Sequence, residues 1–415
     1  MKFQPLYFLL LLLTITACAD KPLDLGEANL WLTTPDQKSL LEKSSLEVVP
    51  AEDSVAGVTI VIDSSKNFQE IDGFGYTLTG GSVMHIHKMS DSARTALLQE
   101  LFGTGENEIG VSYLRLSVGA SDLNEAPFSY NDLPEGETDV ELENFSLTED
   151  TLHVIPVLKE ILEIAPDIKI MGSPWSPPAW MKDNRDTRGG SLLKEYYSVY
   201  ANYLVKYVEA MADHGITVDA ITVQNEPLHP GNNPSLLMLA EDQAEFIKNH
   251  LGPAFEKNNI NTKIIIYDHN ADRPDYPISI LNDPEAAQYI DGSAFHLYGG
   301  EISALSEVHE AHPDKNLYFT EQWVGAPGDF AREMTWHTEN LIIGATRNWS
   351  RNVLEWNLAA DENQDPHTDR GGCDRCLGAV TITGDKVTRE PAYYIIAQAS
   401  KFVRPGSVRI ASNLP

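Results

Sequence analysis

Residues 192–227 read LLKEYYSVYANYLVKYVEAMADHGITVDAITVQNEP. The stretch from Leu192 to His214 repeats its apolar and aromatic residues with helical period, and Tyr196, Tyr200, Tyr203 and Tyr207 fall on one face. That row is read as the face that packs on the rest of the fold rather than as a sugar platform. Gly215 stands where a helix stop is expected. Next comes a short apolar, β-branched run from Ala220, and it ends in the polar Gln224-Asn225-Glu226-Pro227. A helix followed by a doubly apolar strand, with polar residues gathered just past the strand, is one unit of a parallel sheet covered by helices.

Working outward, the same unit recurs. Candidate strands start near Ile71, Val111, Ile168, Ala220, Lys263, Gly292, Asn316 and Val353. Helical periods lie between most of them, as in Ser90–Phe102, Thr151–Ile164 and Leu239–Asn258. Eight such units over residues 69–403 predict a (β/α)₈ TIM barrel of the α/β class. The alternative, a doubly wound open sheet, lacks any Gly-rich phosphate loop after a strand. Strand-like runs at Ala28–Leu32, Val58–Ile62 and Ser407–Ile410 fall outside the barrel, in residues 19–68 and 404–415. They predict a small β side module.

Lys2, the apolar run Leu6–Ile15 and the Ile15-Thr16-Ala17-Cys18 that closes it resemble a bacterial lipoprotein signal over residues 1–18. Cys18 is then the expected lipidation site. The expected location is the membrane of a Gram-negative-type bacterium, on the periplasmic or cell-surface side, with the membrane touched only through the anchor. The 415 residues carry 30 Lys+Arg against 61 Asp+Glu, a formal charge of −31. Such a surface repels polyphosphate, so nucleic acid is excluded as a partner. A monomer is expected.

In a barrel of this kind the chemistry gathers at the C-terminal ends of the strands. Those ends read Arg115 to Asp122, Ser173 to Lys182, Gln224 to Pro227, Ala294 to Gly300, Tyr318 to Trp323 and Glu355 to Leu358. Two carboxylates, Glu226 and Glu321, therefore close strands four and seven, with tryptophans around both. One acid to protonate a leaving oxygen and one anion to meet an oxocarbenium-like carbon are what glycoside cleavage requires. Asn225 is placed to hydrogen-bond a sugar 2-hydroxyl.

The chain resembles glycoside hydrolase family 30. Asp72-Gly73-Phe74-Gly75, Arg115, the Ser173–Lys182 tract, Asn225-Glu226-Pro227, Phe295-His296-Leu297-Tyr298, Thr320-Glu321 and Trp356-Asn357-Leu358-Ala359 carry the likeness. It implies a retaining β-glycosidase without cofactor or metal, with Glu226 as acid/base and Glu321 as nucleophile. Arg115 and Tyr298 match residues that lie against the nucleophile, keeping it ionised while Glu226 stays protonated. Asp122, Trp175, Asn225 and Trp356 match positions lining the −1 sugar subsite, and His296 is expected on the site wall. Many relatives follow Gly-Phe-Gly with a Thr-Asp-Ala segment; here Thr79-Gly80-Gly81 stands instead, which resembles the β-1,6-glucanase branch. A β-1,6-glucan is therefore the expected substrate. Glucosylceramidase-like and xylan-directed enzymes are the alternatives, and a non-catalytic glycan-binding lipoprotein is the alternative of another class. Family members carry a β-sandwich built from both chain ends, so the stop at Pro415 is read as a truncated module.

Cys373-Asp374-Arg375-Cys376 is open to reading as a redox pair, half a zinc site or a loop disulfide. A redox pair normally opens a helix, whereas Leu377–Ile382 reads as a strand, and a Cys₄ site lacks two thiols. Outside the cytoplasm a Cys373–Cys376 disulfide edging the site is the expectation. The acidic run Asp361–Asp369 lacks EF-hand spacing and is read as a solvated loop.

Overall fold

β-Branched and aromatic residues at both parities leave the eight apolar runs no polar face for water, so they are buried on both sides. The computed structural model describes residues 26–49 and 58–414, so Cys18 and the leader lie outside the described residues. The strands are β1 (Gly73–Leu78), β2 (Tyr113–Val118), β3 (Lys169–Pro174) and β4 (Ala220–Thr222), then β5 (Lys263–Ala271), β6 (Ile290–Gly300), β7 (Asn316–Glu321) and β8 (Ser350–Asn357). All pair in parallel and in chain order, and β8 closes the barrel against β1. The fold is the expected TIM barrel, and each strand starts within three residues of its predicted position.

Tyr113, Met171, Ala220, Ile265, Ala294, Tyr318 and Leu354, one from each of β2 to β8, fill the barrel interior. β1 contributes no large side chain to that layer. Gly75 is needed there because a Cβ would lie 1.8 Å from the Tyr113 carbonyl oxygen. The outward faces of the strands pack on the helices in one continuous apolar layer. The helix Tyr197–Asp213 buries Tyr200, Tyr203 and Tyr207, and Tyr130 stacks on the last two.

Two helices depart from the sequence pattern for reasons legible in proline. Thr148–Leu152 and Val154–Ile164 are separated at His153, because Pro156 fits only in a first helical turn. The helix over Ala240–Lys257 widens into π-type turns at Ile247–Leu251, just before Pro253, which has no N–H to donate. Outside the barrel, Glu27–Leu32 pairs with Glu42–Glu47, and Ile62–Glu70 pairs separately with Val408–Ser412. The run read as a strand at Val58–Ile62 thus enters a strand only at Ile62. No helix among the described residues is long and apolar enough to cross a membrane.

Candidate active site

Strand alternation delivers some site residues and broken alternation delivers the rest. On β2, Tyr113 faces the barrel interior while Leu114 and Leu116 pack outward, which sends Arg115 inward. On β7, Phe319 pairs with Phe295 but Glu321 pairs with His296, so Thr320 is an extra residue and both Thr320 and Glu321 reach the site. β8 shifts register between Glu355 and Asn357, around Trp356. β5 does so between Tyr267 and His269, with Tyr267 at φ +72° and Asp268 at φ +62°. Glu226 follows β4 at φ +45°. Side chains held in that region carry strain, a common property of functional positions.

Arg115 is the hub. Its guanidinium donates to Glu321 Oε2 (2.6 Å), Asp268 Oδ2 (2.8 Å), Asn225 Oδ1 (2.7 Å) and Ser173 Oγ (3.2 Å). It also lies 4.8 Å from the Trp175 ring centroid and 5.8 Å from that of Trp356. Glu321 accepts a second bond from the Tyr298 hydroxyl (3.0 Å). Asp268 is fully buried and accepts from Thr222 Oγ1 and Thr320 Oγ1 as well. Against burial, Arg115 and His296 hold its carboxyl far below the usual range.

His296 changes the proton logic. Its ring is fully buried behind the carboxylates rather than on the site wall. Nε2 is 3.2 Å from Asp268 Oδ1, and Nδ1 is 3.3 Å from Glu226 Oε1 and 3.8 Å from Glu321 Oε1. Burial disfavours the imidazolium, but Glu321, Asp268 and Glu226 outweigh it and push His296 up to about 9. Burial also raises Glu226, yet the His296 hydrogen bond and charge prevail and lower it. Glu321 is raised, by burial and by the neighbouring anions, against His296 and Arg115. This reverses the expected order of a protonated Glu226 beside an ionised Glu321, because His296 lowers Glu226 while burial raises Glu321. The three groups titrate as a unit. When the Nδ1 proton crosses to Glu226, Glu321 loses both the imidazolium that lowers it and the like charge that raises it, and Arg115 and Tyr298 remain to hold it as carboxylate. Glu226, His296 and Glu321 offer donor atoms within 4.8 Å of one another, but Arg115 and the imidazolium already supply the answering positive charge.

A match to the family model described as the glycosyl hydrolase family 30 TIM-barrel domain covers residues 71–403. The chain belongs to glycoside hydrolase family 30. It is 36% identical over 374 residues to an endo-1,6-β-D-glucanase of Neurospora crassa, covering 86% of this chain and 75% of that protein. It is 31% identical to a putative glucosylceramidase 4 of Caenorhabditis elegans, over 94% of this chain and 78% of that one. The solved endo-β1,6-glucanase BT3312 superposes with a TM-score of 0.84 at 35% identity, covering 92% of this chain and 85% of the other. This family 30 chain is a glycosyl hydrolase.

The family 30 cleft above the network has a volume of about 320 Å³. Of the residues singled out in the sequence, Asp122, Trp175, Asn225, Glu226, Tyr298, Glu321 and Trp356 line it, and Cys373 and Cys376, joined by a disulfide, form part of its rim. Arg115 and His296 lie beneath. Burial, then Glu321 and Glu226, push Asp122 up to about 8, so the protonated carboxyl is favoured at neutral pH. Sequence reasoning missed Asp268, His269 and Asn232. Asn232 donates to Glu226 Oε2 (3.3 Å). The one signal for Asp268 was its position at a strand's C-terminal end. The Gly80 departure has a steric partner, since a Cβ there would lie 1.9 Å from Asn124 Nδ2.

Proposed function

We propose that this hydrolase is a retaining endo-β-1,6-glucanase. The observation that carries the reading is the Glu226–Glu321 pair, with carboxylate oxygens within 4.8 Å of each other and Glu321 held on Arg115. Inverting enzymes need roughly 6.5–9.5 Å between the groups to admit a water, and retaining ones about 5–5.5 Å. In the reaction, Glu321 Oε attacks the anomeric carbon while Glu226, loaded from His296 Nδ1, gives its proton to the leaving oxygen. A covalent glycosyl ester on Glu321 results. Glu226, now carboxylate, takes a proton from water as that water's oxygen attacks the same carbon, and Glu321 leaves. The β-1,6 linkage is supported by the glucanase relatives and by Gly80. The test is reducing-sugar release from linear β-1,6-glucan, beside the Glu321→Gln variant. Oligomers released by the parent alone establish the reading, and release of single sugars only would make the enzyme exo-acting.

We infer further that the protein is an exported monomer held by acyl chains on Cys18, a reading that rests on the apolar run and Cys18 in the sequence. Cys18→Ser is expected to move the protein from the membrane to the soluble fraction.

A further inference from the structure

The acid/base carboxylate has a side facing away from Glu321, and any leaving group must lie there. Three cleft residues gather near Glu226: Asn232, which donates to it, His229, from the same loop, and His269, at the β5 register shift, which acts on its charge. Among them His269 stands apart. It is only 7% exposed, yet its Nδ1 is sealed from solvent with no partner, and Nε2 bonds to no described residue. The other buried cationic and phenolic groups around Glu226 are committed: Arg115 to Asp268 and Glu321, His296 to Asp268 and Glu226, Tyr298 to Glu321. An unpaired polar group in a folded interior is costly and calls for a reason. A ring that lines the cleft and bonds to nothing in the protein has its reason in what enters the cleft.

We propose that His269 recognises the leaving-group sugar, the unit in the +1 position whose glycosidic oxygen Glu226 protonates. The inference rests on the roles given to Glu226 and Glu321 above. Burial holds the imidazole at about 4, so it is neutral over the working range and offers one donor and one acceptor. With Nδ1 sealed, Nε2 is the nitrogen open to the cleft, and a sugar hydroxyl, which both gives and takes a hydrogen bond, answers it in either tautomer. The surrounding charge restricts the class further. Asp122, Glu226 and Glu321 line the cleft, and no lysine or arginine stands among its lining residues. A uronic acid or a phosphorylated sugar would meet these carboxyl groups and find no lysine or arginine in the cleft wall to pair with, so the +1 sugar is a neutral hexose.

The experiment compares His269→Ala and His269→Gln with the parent on two substrates, a β-1,6-linked glucose oligomer and 4-nitrophenyl β-glucoside. The aryl leaving group presents no hydroxyls for His269 to bind. The ratio of kcat/KM for oligomer over aryl glucoside is expected to fall about tenfold in His269→Ala and to recover in part in His269→Gln, whose amide reaches toward the same position. A second readout follows the glycosyl-enzyme formed from the aryl glucoside and partitioned between water and an added glucose disaccharide. Transfer to the disaccharide is expected to fall by a similar factor, with the melting temperature of each variant recorded to exclude misfolding. Equal losses on both substrates with unaltered partition would overturn the proposal, as would no change in either. A parent active on the aryl glucoside but not on β-1,6-glucan would overturn the linkage reading alone. The partition, with whichever neutral disaccharide competes with water, would then decide on His269. A parent active on neither would overturn both.

Discussion

Arg115 is a fully buried cation, and such a group is tolerable only when its partners nearly surround it. Four acceptors on three strands and one loop do so, which makes Arg115 as much a brace as an electrostatic device. Arg115→Lys keeps the charge but cannot present a planar fork to four oxygens. It is expected to lower kcat more than a hundredfold and to cost about 3–5 kcal/mol of stability, read by urea denaturation. An unchanged melting curve would remove the bracing role. His296→Gln removes the cation that lowers Glu226. The alkaline limb of the kcat/KM profile is therefore expected to move to higher pH as kcat falls about tenfold to hundredfold. A limb that moves to lower pH would refute the shared-proton account. At this scale the sequence was informative where a residue type at a strand end has few other uses. Glu226 and Glu321 among tryptophans could be singled out, but Asp268 could not. Nothing in Tyr267-Asp268-His269 marks which side chain faces inward until the local twist is known.

Strands and helices explain why some of the site was legible and some was not. Period-two alternation turns Arg115 inward, and the positions of all eight strands followed from apolar runs alone. The register shifts on β5, β7 and β8 break that alternation where the chemistry sits, and a single sequence carries no sign of them. The loops after β3 and β4 show the same limit. Lys182 belongs to the tract that carries the family likeness, yet its contribution is structural. The ammonium is buried and donates to Ser176 Oγ (3.0 Å), Thr187 O (3.0 Å) and Ser235 O (2.8 Å), joining the two loops that flank Glu226. Lys182→Met leaves three buried acceptors unpaired and is expected to cost about 2–4 kcal/mol. Because the loops lose their register, KM for glucan should rise more than kcat falls. A stability change under 1 kcal/mol, on the order of the scatter among surface substitutions, would show that the three bonds are replaceable by water.

For the molecule as a whole, the charge of −31 and the buried acids act in the same direction as pH rises. Burial pushes Asp150 up to about 7, against the hydrogen bond it accepts from Tyr130 (2.6 Å), whereas in the unfolded chain such a carboxyl titrates near 4. Between those values the unfolded chain has released the proton and the folded chain retains it. Stability therefore falls as pH rises through that window, by up to about 1.4 kcal/mol per unit. Asp122, pushed up to about 8, adds a slope of the same sign. Asp268 acts oppositely: its carboxyl is held low, so its stabilisation is present above the unfolded value and is lost on strong acidification. The two trends place maximal stability on the acid side of neutrality, near pH 5, and self-repulsion among the surface carboxylates steepens the fall above it. Asp150→Asn retains an acceptor for Tyr130 and removes one titration. Its melting temperature should exceed the parent's by several degrees at pH 7.5 and differ little at pH 4.5. Added salt should raise the parent's melting temperature more at pH 7.5 than at pH 5, because screening acts on a larger charge there. A variant whose advantage is the same at both pH values would owe it to packing, and the buried proton on Asp150 would then have no part in the pH dependence.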